Sequence, residues 1–261
     1  MKTTEIWNLI GNICPSELAE EWDNSGPQIS FDDDEITKVL VALEVTFDVV
    51  KEAIKLGANL IVTHHPLYFG GNAYITPEYT IGKYTLELVK NRISVFSAHT
   101  SFDNLVGGNN DSFGELIGAD DITVSDSEEG IFRLGNVKPI KVSGLIDDVC
   151  KRLSISKHFV HLIGDPDATV SKIAWCTGAG FGFVYPAYKC GAECFITGDV
   201  KYHDARDASE RGMNVIDIGH FGSEKIFTHN MAEKLRKVLD VTVFESNMDV
   251  DPFCTSFSCT G

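Results

Sequence analysis

Six side chains in this 261-residue sequence are of the types and spacings that hold metal ions: His64, His65, His99, Asp103, His220 and Glu224. Each follows or nearly follows an apolar run, and the carboxyl ends of strands are where α/β sheets bind ligands. Ile61-Val62-Thr63 runs straight into His64-His65-Pro66. The proline cannot continue a strand ladder, so both imidazoles belong at a sheet rim. Adjacent histidines diverge too far to chelate one ion comfortably, but each can serve a different ion of a close pair. An ordinary surface turn that happens to hold two histidines is the competing reading. His220 and Glu224 are four residues apart and can address one ion from the start of a helix, although a helix dipole alone also favours a carboxylate there. Three of these imidazoles and the two carboxylates, completed by water, suit two first-row divalent ions such as zinc, iron or manganese. Two ions about 3.5–4 Å apart stabilise both the attacking and the leaving oxygen of a hydrolytic displacement.

These residues need strands to carry them, and the sequence supplies strands alternating with helices. Thr3-Thr4-Glu5 opens a helix to about Ile13, and Pro15-Ser16 restarts helix toward Glu21. Val39–Leu43 reads as a buried strand, Thr46-Phe47-Asp48 opens a helix that Gly57 ends, and the histidine strand follows. Ile93–Ala98 is a further strand ending on His99, and Asp111 to Ile117 a further helix. The acidic, glycine-punctuated passage Ser125 to Lys138 is expected to lead into a second unit. There, Lys172–Cys176 forms a strand, and Gly178-Ala179-Gly180-Phe181-Gly182 turns into a helix through Ala187. That turn is either an anion-holding loop or a tight turn with no ligand. Gly222-Ser223 starts a last helix through Leu235.

Lys189-Cys190-Gly191-Ala192-Glu193-Cys194-Phe195-Ile196-Thr197 echoes Lys55-Leu56-Gly57-Ala58-Asn59-Leu60-Ile61-Val62-Thr63, 134 residues earlier. Chance likeness of two Gly-Ala strands is the alternative to a duplication. We read a duplication: an α/β fold of two similar three-layer domains with their strand ends facing each other. The expected boundaries are 1–125 and 126–240, with 241–261 packing back on the first domain.

Composition narrows the function class. The apolar share of 43% and charged share of 23% are those of a soluble globular protein. A formal charge of -16 without a basic cluster argues against nucleic acid and against an anionic membrane surface; a local basic pocket for a phosphorylated substrate stays open. The acidic first thirty residues hold no export signal, and no run is long enough to span a bilayer. Seven cysteines then imply reduced thiols and a cytoplasmic location. Cys190 and Cys194 are four apart and Cys254 and Cys259 five, so no second pair matches the spacing of a structural metal site.

Thr63-His64-His65-Pro66-Leu67, Ser97-Ala98-His99-Thr100, Phe102-Asp103, Ile196-Thr197-Gly198-Asp199-Val200-Lys201-Tyr202-His203 and Gly219-His220-Phe221-Gly222-Ser223-Glu224 closely resemble the GTP cyclohydrolase 1 type 2 family. These are hexameric dinuclear-metal proteins related to the yeast Ngg-one-interacting factor three. Trp22-Asp23-Asn24-Ser25-Gly26 and Asp251-Pro252-Phe253 match too, so the resemblance covers almost the whole chain. It implies a metal site in the cleft between two α/β domains. The ligands it implies are His64, His65, Asp103, His220 and Glu224, with Glu224 bridging both ions. It also implies a toroidal homohexamer and the short form of the family, with no extra domain between Ser125 and Val170. Glu44 stands where relatives usually carry Asp, and Ser101 where Asn is more usual. The activity implied is hydrolytic opening of the GTP imidazole ring with loss of formate. The expected substrate is a small molecule of nucleotide type. His99 or His203 would shuttle protons and Asp199 would orient one of them. The alternative is a regulatory or metal-delivery assembly without turnover.

Overall fold

A computed structural model describes residues 1–70, 74–124 and 131–253. The chain divides into two units, and the first is built from two separate stretches, Met1–Leu105 and Phe227–Val250. Val106–Ile226 form the second, together with Asp251–Phe253 at the end of the described residues. The expected boundaries at 125 and 240 therefore shift. Residues 106–124 belong to the second unit, and the helix and strand beyond 226 belong to the first.

In the first unit, helix α1 (Thr3–Ile13) precedes strands β1 (Gly26–Ile29) and β2 (Lys38–Ala42), helix α2 (Phe47–Leu56) and strand β3 (Leu60–Thr63). Helix α3 (Thr80–Lys90), strand β4 (Ser94–Ser97) and helix α4 (Thr100–Asn104) follow. Pro15-Ser16 yields only a single turn, Ser16–Leu18, and not the helix expected toward Glu21. Thr46 caps α2 by accepting from the Val49 amide at 3.2 Å. Gly57 ends α2 with φ +67°, a conformation that costs glycine little. β2, β3 and β4 pair in parallel, and their residues are buried almost throughout because helices cover both faces. On one face Leu40, Ala42, Ile61 and Val95 pack with Val49 and Ala53 of α2 and Leu88 of α3. On the other, the Trp7 ring of α1 lies 5.4 Å from that of Phe96.

The second unit begins with helix α5 (Asn109–Ile117) and strands β5 (Asp120–Val124) and β6 (Arg133–Lys141). The part of the expected passage from Arg133 to Lys138 is thus strand in the second sheet; 125–130 lie outside the described residues. Helix α6 (Val142–Leu153), strands β7 (His161–Ile163) and β8 (Thr169–Trp175), helix α7 (Val184–Lys189) and strand β9 (Cys194–Thr197) follow. Helix α8 (Tyr202–Glu210), strand β10 (Val215–Asp217) and helix α9 (His220–Glu224) complete the unit. Ile173, Trp175, Cys194, Ile196 and Ile216 face α5 and α6 on one side of the sheet. Ala174, Cys176, Phe195 and Val215 face Val184 and Ala187 of α7 and Ala208 of α8 on the other. The last helix expected from Gly222 is broken at Lys225-Ile226, where the chain leaves this unit. Helix α10 (Phe227–Val238) and strand β11 (Thr242–Glu245) then return to the first unit, β11 pairing in parallel with β2.

The duplication read from two short segments extends over both units. One sheet has the order β1-β4-β3-β2-β11, and the other, taken from its far edge, β7-β10-β9-β8-β6-β5. In each, three parallel strands joined by helices are flanked by an antiparallel edge strand that precedes them in sequence. Val39 pairs with Leu60 as Ile173 pairs with Cys194, so the Gly-Ala repeats enter their sheets in the same register. The fifth strands differ: β11 is parallel to its neighbour and β6 antiparallel.

Candidate metal centre

The candidate ligands fall into two sets, one in each unit, and each set has its own geometry. In the first unit β3 stops at Thr63, whose hydroxyl donates to the His65 carbonyl at 2.8 Å. The Ser97 hydroxyl donates to the same carbonyl at 3.2 Å. The His64 and His65 amides both donate to the Leu43 carbonyl at 3.0 Å, so the two histidines occupy a turn anchored to the end of β2. Sequence placed the pair at a strand end, and the structure places it there.

His64 is fully buried and its Nδ1 lies 3.0 Å from the Ala98 carbonyl. A carbonyl can only accept, so Nδ1 carries the hydrogen and the lone pair is on Nε2. That lone pair faces Asp103 Oδ2 at 3.6 Å, too long for a hydrogen bond. An imidazole whose far nitrogen is fixed by a carbonyl, with its near nitrogen opposite a buried carboxylate, is a common metal-ligand arrangement. The rings of His64, His65 and His99 are mutual neighbours, with centroids 5.1–5.9 Å apart.

His99 is held differently. Its Nδ1 donates to Asp23 Oδ1 at 2.8 Å. Asp23 also accepts from Ser25 Oγ at 2.6 Å, from Thr100 Oγ1 at 2.5 Å, and from the amides of Thr100 at 3.1 Å and Asn24 at 2.7 Å. Burial opposes a charge on Asp23, and the hydrogen bonds from His99, Ser25 and Thr100 override it, holding its carboxyl well below the usual carboxylate range. In the sequence, Trp22–Gly26 stands only as a segment shared with the resembled family, with no role assigned to Asp23. No local signal joins it to a histidine 76 residues on.

In the second unit His220 and Glu224 lie on α9, and His220 Nε2 is 2.9 Å from Glu224 Oε2. His220 Nδ1 is 2.7 Å from Asp199 Oδ2, just past the end of β9. Asp199 is thus placed on His220, and among the described residues no hydrogen bond joins it to His99 or His203. Burial opposes a charge on His220, but hydrogen bonds and charge from Glu224 and Asp199 raise its pKa to about 9. A divalent ion taken up there would replace that proton. Asp199 adopts a left-handed φ of +55°, tolerable for Asp and consistent with a constrained loop.

Gly178 makes room for Glu224. A Cβ on it would lie 2.1 Å from Glu224 Oε1 and 3.3 Å from His220 Nε2, and its φ is +67°. Its amide donates to Ser223 Oγ at 2.9 Å, and that hydroxyl donates to the His220 carbonyl at 2.8 Å. The Gly178–Gly182 turn is thus a cradle for a buried carboxylate. His203 is exposed on α8 and makes no hydrogen bond or ion pair among the described residues; its ring lies 5.4 Å from that of Tyr202.

Nitrogen and carboxylate donors, outer partners that fix the rings and a glycine that clears one carboxylate together suit divalent metal. The family described as Duf34/NIF3 (NGG1p interacting factor 3) matches residues 1–252. The chain belongs to this family. A Clostridium perfringens relative named GTP cyclohydrolase 1 type 2 homolog is 38% identical, across 97% of this chain and 99% of its own. A Lactococcus lactis relative of the same name is 37% identical with the same coverage. The crystal structure of Staphylococcus aureus hypothetical protein SA1388 superposes with a TM-score of 0.90 at 28% identity, over 97% of this chain and 99% of that one. The family read from the histidine and aspartate motifs is therefore the right one. Among the described residues no helix is long and apolar enough to cross a membrane.

Proposed function

We propose that this protein is a dinuclear-metal hydrolase acting on a small molecule of nucleotide type, by the reaction that its relatives' name denotes. That reaction is opening of a purine imidazole ring with release of formate. The observation that carries the reading is the recurrence of one device in both units. A histidine is fixed through Nδ1, by Ala98 in one and by Asp199 in the other, while its Nε2 faces the buried carboxylate of Asp103 or Glu224.

The proposed ligands are His64, His65, Asp103, His220 and Glu224, with Glu224 shared by both ions. Bound divalent ions supply Lewis acidity and lower the pKa of water toward 7. The chain's own residues supply position and proton traffic. Thr63 and Ser97 fix the His64-His65 turn. Asp23 orients His99 through Nδ1, so Nε2 is the nitrogen that exchanges a proton. His203, exposed on α8, is the second proposed carrier, and Asp199 fixes His220. The proposed assembly is a homohexamer in the cytoplasm, and light scattering checks its mass.

The test is formate release from GTP by purified protein loaded in turn with zinc, iron or manganese, against chelated protein, with metal content measured on the same samples. Metal-dependent release is expected, with about two ions per chain. Two bound ions without turnover on GTP, other nucleotides, phosphoesters or small amides would replace this reading with metal delivery or regulation.

A further inference from the structure

Two large rings stand in water beside His99. Trp22 and Phe69 are each 62% exposed, and their centroids are 6.0 Å apart at an interplanar angle of 77°. Both also meet the His99 ring edge to face, Trp22 at 5.9 Å and Phe69 at 6.0 Å. Exposed apolar side chains scattered singly are ordinary. These two are not scattered: they form a corner whose third wall is the imidazole anchored by Asp23.

The corner is held open. Asn24 Nδ2 donates to the Tyr68 carbonyl at 2.7 Å, tying the loop that carries Trp22 to the loop that carries Phe69. Gln28 reinforces the tie, since its Oε1 accepts from the Tyr68 amide at 3.3 Å and its Nε2 donates to the Asn24 carbonyl at 2.7 Å. Asp23, next to Trp22, is fixed by the hydrogen bonds described above. Rings preset at right angles on stitched loops have little left to lose in ordering, and they offer one face and one edge to a flat partner.

We infer that Trp22 and Phe69 form a binding site for a planar heteroaromatic ring, seating it against His99. Deepening the hydrolase reading and resting on it, this makes the base, and not the sugar or phosphate, the part of the substrate that the first unit recognises. Stacking on one aromatic side chain shifts affinity about fivefold to a hundredfold or more.

The experiment is calorimetric titration of the metal-loaded full chain with guanosine and adenosine, with ribose as the ringless control. Wild-type protein should bind the nucleosides and not ribose. Trp22→Ala and Phe69→Ala should each raise the nucleoside Kd about tenfold with metal content and melting temperature unchanged, while Trp22→Phe keeps most of the affinity. Tyr79→Ala, which deletes a ring stacked on Tyr74 at 6.0 Å, should change nothing. Wild-type protein that binds no nucleoside, or alanine variants that bind as wild type does, would overturn the inference. So would variants that change the assembly mass by light scattering with Kd intact, for the rings would then be a contact between copies of the chain. Nucleoside binding through Trp22 without formate release from GTP leaves this inference standing and defeats the hydrolase reading. Formate release with unaltered affinity in both alanine variants does the reverse.

Discussion

Adding one methyl group at Gly178 tests the second unit's half of the proposed site without touching a candidate ligand. Two costs come with alanine there. The left-handed φ of +67° costs an L-residue about 1–2 kcal/mol. The new Cβ would also lie 2.1 Å from Glu224 Oε1, about 1.3 Å inside an ordinary contact of 3.4 Å. Glu224 is buried and its Oε2 is 2.9 Å from His220, so the carboxylate cannot step aside without stretching that contact. Overpacking of this kind costs about 1–3 kcal/mol, giving a total of about 2–5 kcal/mol. Gly182 is the internal control, because a Cβ there meets nothing within 4 Å and its φ is not left-handed. Chemical denaturation of metal-free protein reads the fold term, and metal titration reads the ligand term. Gly178→Ala should unfold at lower denaturant than Gly182→Ala and bind metal at least tenfold more weakly than wild type, with its circular dichroism intact. Equal stability of the two variants would refute the steric argument. A destabilised Gly178→Ala that binds metal as wild type does would show that Glu224 is no ligand.

Four further outcomes follow from the same geometry. Glu224→Gln should lose both ions or nearly so, measured as metal per chain, and full retention would remove the shared-ligand proposal. His99→Gln should lower formate release by about two to four orders of magnitude with metal content intact, and so should His203→Gln if it carries a proton; a His99 variant that loses metal would make His99 a ligand. Asp23 has a depressed pKa, so its stabilisation is present above the ordinary carboxylate value and is lost as pH falls through its own lower one. Asp23→Asn should therefore cost about 2–3 kcal/mol at pH 7, and the difference from wild type should begin to shrink only below about pH 4, the ordinary carboxylate value; a difference that stays constant as pH falls further would count against the network. Arg133 is fully buried, and its guanidinium meets Asp111 and the Ile131 carbonyl. Asp111→Ala should cost about 3–5 kcal/mol in denaturant unfolding, and a loss under 1 kcal/mol would place that charge in solvent.

The parts of the fold that were legible in the sequence are those where periodicity and punctuation agree. Thr46, the apolar face of α2, Gly57 and the branched run to Thr63 each mark a boundary by local chemistry, and β3 ends where the histidines begin. The parts that were missed lack such signals. β6 carries Gly135 and Pro139, and its pairing with β8 shifts register between Asn136 and Ile140, so it reads as a linker. α8 buries only Ala208 and shows no apolar stripe. The true unit boundaries depend on β11 finding β2 some two hundred residues earlier, which nothing local encodes. At the candidate site, the side-chain types and their strand-end positions were visible, whereas Asp23 on His99, Asp199 on His220 and the space at Gly178 arise only when distant loops meet.

The interrupted first unit sets an order of events during synthesis. When residue 105 has left the ribosome, β2 still has an open edge and α10 does not yet exist. The Phe227 ring, which packs 4.9 Å from His64 and 5.3 Å from Phe102, has not been made either. The second unit, by contrast, has all its described helices and strands within Val106–Ile226, and these can pack as soon as that stretch emerges. The nascent chain therefore finishes its middle before its beginning. The candidate half-site of His64, His65 and Asp103 gains the Phe227 ring only when α10 is delivered.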